Sequence, residues 1–429
     1  MRRAPPPAVA ALAVVAAGLS LPACGREPPI GTAEWPAAGL AELRAQIAYT
    51  EREIAREEAE IARLRGELAG LGSAPEPRIV TRFEAGVVGD DPTSRRDLHE
   101  RPEVRAHGQR SGKASLGREG GSEATEKAVR GALSWLARHQ EADGRWRAAD
   151  PAFDVAVSSL ALLAFLGNGH THRAGDSKEP AFRAALEAGG SYLERRQGDD
   201  GSIGFDPAKP ETIVNHALAA QALAELFACS RDLAFEQRAR RAVDFCIAAQ
   251  NPSGGFGRGV GTGADDPALT GLFVLALGAA ADGGIEVPRS SFDRAIASLD
   301  RAPEDPDLTG LIVLARIVAG QKRADEAVRK GLRALLAAPP ARDAARPDLA
   351  AWCAGAHAVF QATAPGSPDW KAWNAALQAA LLGRQREGGD EDGSFDATGA
   401  RGEAGGRAYA TAVAALTLEV YYRLERMSR

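Results

Sequence analysis

Gln197-Gly-Asp-Asp200-Gly201-Ser202-Ile203-Gly204-Phe205 reads as the end of one helix, a tight turn and the approach to the next. Before it, the stretch containing Tyr192-Leu193 is amphipathic; after it, Ile213 to Phe227 is apolar with few breaks. Glycine supplies the positive φ that such a turn needs, and an Asp beside it can cap the following helix. The unit recurs. Leu133-Ser-Trp135-Leu136 leads through Gln140-Glu-Ala-Asp143-Gly144-Arg-Trp146 into Val155 to Leu166. Phe245-Cys246 leads through Gln250 and Gly254-Gly255-Phe256-Gly257 into Leu269 to Ala281. Leu377 to Gln385 leads through Asp392-Gly393-Ser394-Phe395 into Tyr409 to Tyr422. Two degraded copies lie between, with amphipathic stretches Ser291 to Leu299 and Asp325 to Leu336 and apolar helices Leu308 to Val318 and Leu349 to Phe360.

Six pairs of this kind predict an all-α domain over residues 124–425. The amphipathic helices would form an outer ring with one wet face, and the apolar ones an inner ring buried all round. The repeat resembles the QW-type repeats of the prenyltransferase and squalene-cyclase superfamily, best at Gln140 to Trp146, Gln197 to Phe205 and Gln385 to Phe395. That resemblance implies an (α/α)6 toroid of six helix pairs with a central cavity. More narrowly, Asp348-Leu-Ala-Ala-Trp352, Phe360-Gln361, Trp370-Lys-Ala-Trp373-Asn374, Gly405-Gly406-Arg407-Ala-Tyr409-Ala-Thr411 and Leu418-Glu419-Val420-Tyr421-Tyr422 resemble exported bacterial proteins bearing a lipobox, a resemblance that implies no biochemical function.

The N-terminal third reads differently. Met1-Arg2-Arg3 and the uncharged run Ala8 to Leu21 form a signal peptide over 1–23, and Leu21-Pro22-Ala23-Cys24-Gly25 resembles a lipobox with Cys24 as the lipidated residue. A tether, 24–36, would follow. In 37–72, Leu40, Ile47, Ile54, Ile61 and Leu68 share one heptad position, and Leu43, Thr50, Glu57, Leu64 and Leu71 its partner. This predicts a coiled coil and a homo-oligomer through residues 40–71. Residues 73–123, broken by Pro75, Pro77, Pro92 and Pro102, form a mostly disordered spacer. The expected location is exported and held to a bacterial membrane by lipid, facing the periplasm or the cell surface. Setting Cys24 aside leaves Cys229, Cys246 and Cys353; Cys229 and Cys246 either pair across neighbouring helices or are small buried residues.

Composition narrows the function classes. With 57 acidic against 52 basic residues and a net charge of −5, the chain lacks the cationic surface of a nucleic-acid binder. Class II terpene cyclases use an Asp-x-Asp-Asp acid; Gly263-Ala264-Asp265-Asp266 lacks its first Asp, and Asp390-Glu391-Asp392 its fourth position. Asp265 and Asp266 also read as a helix start, as do Asp154 and Asp307. Protein prenyltransferases hold zinc through Asp, Cys and His. Here Cys353 and His357 share a helix face, but Asp348 is five residues before the Cys, so the motif is unmatched and no cofactor is expected. His170 and His172 read as solvated in a Gly-rich loop, and His216 as an interior group. Gly257-Arg-Gly259-Val-Gly261 follows a turn, not a strand, which disfavours a nucleotide loop. Asp348, Trp352, His357, Arg407 and Tyr409 fall at or near the starts of the last two inner helices and are the candidate ligand-binding group.

The expected function is therefore a non-catalytic module binding an isoprenoid, lipid or protein. A cyclase- or transferase-like enzyme on an isoprenoid or glycan, with Asp265, Asp266 or Asp348 as acid, is one alternative. A structural envelope protein, favoured by an inner ring too full to leave a cavity, is the other.

Overall fold

The computed structural model describes residues 119–173 and 179–421. The signal peptide, Cys24, the tether, the coiled coil and nearly all of the spacer lie outside the described residues. Among those residues twelve α-helices alternate in two layers. The outer layer is α1 (Glu123–Arg138), α3 (Pro180–Arg195), α5 (Leu233–Ala249), α7 (Arg289–Arg301), α9 (Glu326–Ala337) and α11 (Pro368–Leu381). The inner layer is α2 (Asp154–Gly167), α4 (Ile213–Ser230), α6 (Pro267–Asp282), α8 (Thr309–Val318), α10 (Leu349–Ala362) and α12 (Gly399–Leu418). Each inner helix packs on the next, and α12 packs back on α2, so the inner ring closes. The chain is an (α/α)6 toroid.

The turn residues explain why the pairs repeat in register. Gln140 Nε2 donates to the Gly144 carbonyl of its own turn and to Ala185 on the next outer helix. Gln197 does the same to Gly201 and Arg238, Gln250 to Gly254 and Ser291, and Gln385 to Gly393 and Ala128, all at 2.7–3.2 Å. Gly144, Gly201, Gly254 and Gly393 have φ of 88, 87, 100 and 91°. A Cβ at any of them would lie 2.2–2.5 Å from a carbonyl oxygen of the neighbouring outer helix: Ala188, Arg241, Arg294 or Gly131. Each of these sits three residues after the helix carbonyl that its Gln engages. Every clear repeat is thus clamped to the following one by the same two groups, and the last is clamped to the first.

A second set of hydrogen bonds ties each turn to its own inner helix. The backbone N–H groups of Trp146, Ile203, Phe256 and Phe395 donate to Ser158 Oγ, His216 Nδ1, Thr270 Oγ1 and Thr411 Oγ1 at 2.9–3.1 Å. These four polar side chains are buried because each satisfies a buried donor. His216 therefore fills the place that Ser or Thr takes in the other three clear copies. Its Nε2 faces Cys246 Sγ at 3.3 Å, and its ring packs on Phe245. Burial lowers its pKa to about 3, against weaker opposition from the Ala242 carbonyl and Asp200.

The folded state keeps His216 neutral while an unfolded chain titrates it near pH 6.5. Its contribution is complete above about pH 6.5 and is lost progressively as pH falls toward 3. His216→Thr, which restores the usual residue of this register, is expected to flatten that acid limb and to cost about 2 kcal/mol at neutral pH for the space it leaves. Urea midpoints at about pH 7 and about pH 4.5 measure it. Parallel pH dependence in the two proteins would refute the assignment.

The structure corrects several local expectations. His170 and His172 are not solvated: His170 packs edge-on against Phe182, and His172 packs on Phe235 and bonds Asp232 at 3.0 Å. Burial lowers the His170 pKa. Asp307 does not cap α8. Asp305 takes the Asp307 N–H, the chain winds one turn, and the helix starts at Thr309 with Leu308 in the cap position. Asp154 enters α2 as its first residue, and Oδ1 accepts from Ala148 N at 2.8 Å instead of from the helix. Cys229 and Cys246 are both buried and form no disulfide. The helix including Pro210–Ser230 is long and apolar enough to cross a membrane, but most of it is buried as a core helix of the ring.

Candidate functional site: the central cavity

Inner helices are buried on nearly every side, and the exceptions form a pattern. In α2 every residue is buried except Leu160; in α4 the exceptions are Val214, Gln221 and Ala228; in the body of α6 they include Leu272, Leu275 and Ala279. These residues line one cavity of about 380 Å³, which takes its wall from all six inner helices. The spacing of three, four or seven residues gives each helix one stripe facing the axis. Lining residues run from the first turns, such as Ala268 and Ala350, to the last, such as Ala228 and Val318. The wall is mainly Ala, Leu and Val. Among the described lining residues the aromatic carbocyclic side chains are Phe153 and Tyr409 alone. Burial, with Asp348 adding to it, raises the Tyr409 phenol pKa, so it stays protonated.

Asp282 lies at the far end of the wall, but most charged groups gather at one mouth, where the chain enters the inner helices. Glu211, Arg258, Asp266, Asp307 and Arg401 stand there. Deeper in, Gln221 donates to Glu225 at 3.0 Å along α4. The last inner helix is broken near this mouth: Gly406 has φ 73° and ψ −168°, a backbone only glycine adopts readily. The segment before the break carries Arg401, Ala404 and Gly405 into the cavity wall. It is held on both sides. Asp150 N donates to Ala404 O at 2.9 Å, and Arg401 pairs with Asp348.

The residues singled out from sequence divide cleanly. His357, Cys353 and Tyr409 line the cavity. Trp352 does not; one helix position from Cys353, it turns outward, where the Arg384 guanidinium lies 5.9 Å from its ring centre. Arg407 follows the break at Gly406 and points into the last turn, pairing with Glu391 at 2.8 Å and Asp396 at 2.9 Å. Asp348 caps α10 through Ala350 N and Ala351 N, and its ionic partner is Arg401, not Arg407. Asp266 caps α6 through Ala268 N and Leu269 N.

Asp265 lies outside the cavity wall and anchors the glycine-rich turn. It accepts from Asn251 at 2.8 Å, Ser253 at 2.7 Å and Ser298 at 2.6 Å. Burial alone would raise its pKa, but these bonds and the Gly255 N–H outweigh it and lower the value. A carboxyl held ionised in this way is a poor proton donor. For the Cys353 and His357 pair, Nδ1 lies 2.9 Å from the Cys353 carbonyl and 3.9 Å from Sγ. No group of three or more His, Cys, Asp or Glu that could hold a metal occurs among the described residues.

Sequence reading missed Glu211, Arg258 and Arg401. Arg258 did carry a signal, as the one charged residue inside the Gly257 to Gly263 run.

No family model and no curated protein matches the chain. Solved structures do. An inactive variant of the alpha-1,6-mannanase GH76A of Salegentibacter, in complex with alpha-1,6-mannotriose, aligns at a TM-score of 0.50 and 11% identity over 70% of this chain and 100% of its own. Type II terpene cyclase MstE from Scytonema aligns at 0.45 and 14% over 64% and 82%, and a protein from Actinoplanes at 0.47 and 18% over 70% and 99%. At 11% identity the likeness to the mannanase is one of fold alone, in keeping with the (α/α)6 toroid.

Proposed function

We propose that the toroid binds an apolar ligand in its central cavity without turning it over, on an exported chain that is tethered through lipid at Cys24 and assembled through residues 40–71. The observation that carries the reading is the cavity itself: one Ala-, Leu- and Val-rich space to which all six inner helices contribute. An apolar wall of this extent left facing an open space is surface that an apolar ligand would bury. The three carboxylates considered as acids support the absence of turnover. Asp265 serves a turn, Asp266 a helix start, and Asp348 a helix start together with Arg401. Stabilising a carbocation would also call for more aromatic faces than Phe153 and Tyr409.

The test is titration of the purified full chain with the neutral apolar fluorophore N-phenylnaphthylamine, alongside assays with squalene and geranylgeranyl diphosphate. Saturable one-to-one binding is expected, retained in Asp265→Asn, Asp266→Asn and Asp348→Asn. Absence of binding, or multiple turnovers that one of these substitutions abolishes, would overturn the proposal.

A further inference from the structure

The polar end of such a ligand can be assigned from the mouth of the same cavity, resting on the binding reading above. Of the two cations described there, Arg401 is neutralised by Asp348. Arg258 is half-buried and makes no hydrogen bond or ion pair with any described residue, and the Glu211 carboxylate is in the same condition. Both line the central cavity, and both also line an open side pocket walled by Phe205, Pro207, Pro210 and Val260. The side pocket therefore shares with the mouth one uncommitted cation and one uncommitted anion.

A partly desolvated guanidinium gains most from an anionic acceptor that matches its planar fork, and phosphate does so. A carboxylate beside it accepts from an ammonium donor. We infer that the ligand is a single-chain zwitterionic amphiphile, its chain in the central cavity, its phosphate against Arg258 and its ammonium against Glu211. One chain fits the volume, about 380 Å³, at the small end of the range for ligand pockets, roughly 300–1,000 Å³. A diphosphate head fits poorly. It would face Glu211, Asp266 and Asp307, with Arg258 as the one uncommitted cation among the described residues of the mouth.

The experiment is displacement of N-phenylnaphthylamine from the full chain by lysophosphatidylethanolamine, tetradecanol and geranylgeranyl diphosphate, each below its micellar concentration. Lysophosphatidylethanolamine is expected to bind at least about tenfold more tightly than tetradecanol. Arg258→Gln and Glu211→Gln should each remove most of that advantage, with an unchanged melting temperature showing that the variants fold. Equal affinity of lysolipid and alcohol, or preference for the diphosphate, overturns this inference and leaves the cavity reading intact. A protein that binds neither the fluorophore nor any competitor overturns both.

Discussion

Gly393→Ala is expected to destabilise the ring by roughly 2 to 6 kcal/mol, a fall in melting temperature of roughly 5 to 15 °C. Two costs add. The residue holds φ 91°, where an L side chain is strained, and its Cβ would lie 2.3 Å from the Gly131 carbonyl oxygen. Backbone on both sides leaves little room for relief, because Gln385 already ties this turn to Ala128. Gly263→Ala separates the terms: φ is 92° there, but nothing lies within 4 Å of the added carbon. That variant should lose only about 1 kcal/mol. Equal melting temperatures for the two variants would show that the seam between the last repeat and the first carries no special weight.

The second large effect concerns binding. Leu272→Trp places extra volume in the cavity from a helix position whose side chain is half-exposed to that space. Its neighbours on the stripe, Leu275 and Ala279, face the same void, so the indole has room without displacing the core. N-phenylnaphthylamine affinity is expected to fall at least about a hundredfold, the scale of losing most of the buried apolar contact, with melting unchanged or slightly raised. Leu233→Trp is the control, since Leu233 is 71% exposed on the outer surface. Wild-type affinity in Leu272→Trp would place the fluorophore elsewhere and remove the main support for a ligand in the ring.

The architecture was legible because its chemistry repeats. A Gln at a helix end, a Gly at the turn beyond it and then an apolar helix mark a unit, and four such units suffice to set the register of the two degraded ones. The buried polar residues were less legible. His216 resembles a potential base until it is aligned with Ser158, Thr270 and Thr411, after which its role as an acceptor for a turn N–H is plain. His170 and His172 were misread because their neighbours come from later helices: Phe182, Phe235 and Asp232 arrive only when α3 and α5 pack.

A central cavity was implied by the repeat, but which residues face it was the hardest part to foresee. Its wall is made of the same Ala, Leu and Val as the core around it, so composition cannot separate the stripe facing the axis from the faces in contact. Local spacing did place Cys353 and His357 on one face, and that face is a cavity face. The mouth is built from loops far apart in the chain. Arg401 meets Asp348 across 53 residues, a relation no window of sequence contains.

The closure of the ring also orders events in time. Gln378 donates to Gly120 O at 2.7 Å and to the Tyr421 hydroxyl at 2.9 Å, so both ends of the described domain meet at one side chain. During synthesis the first outer helix emerges long before the residues that cover it, and its apolar face must wait for the final repeat. A chain stopped after the fourth or fifth pair is then no smaller ring. It is an open arc with two sticky edges, each shaped to receive the edge of another copy.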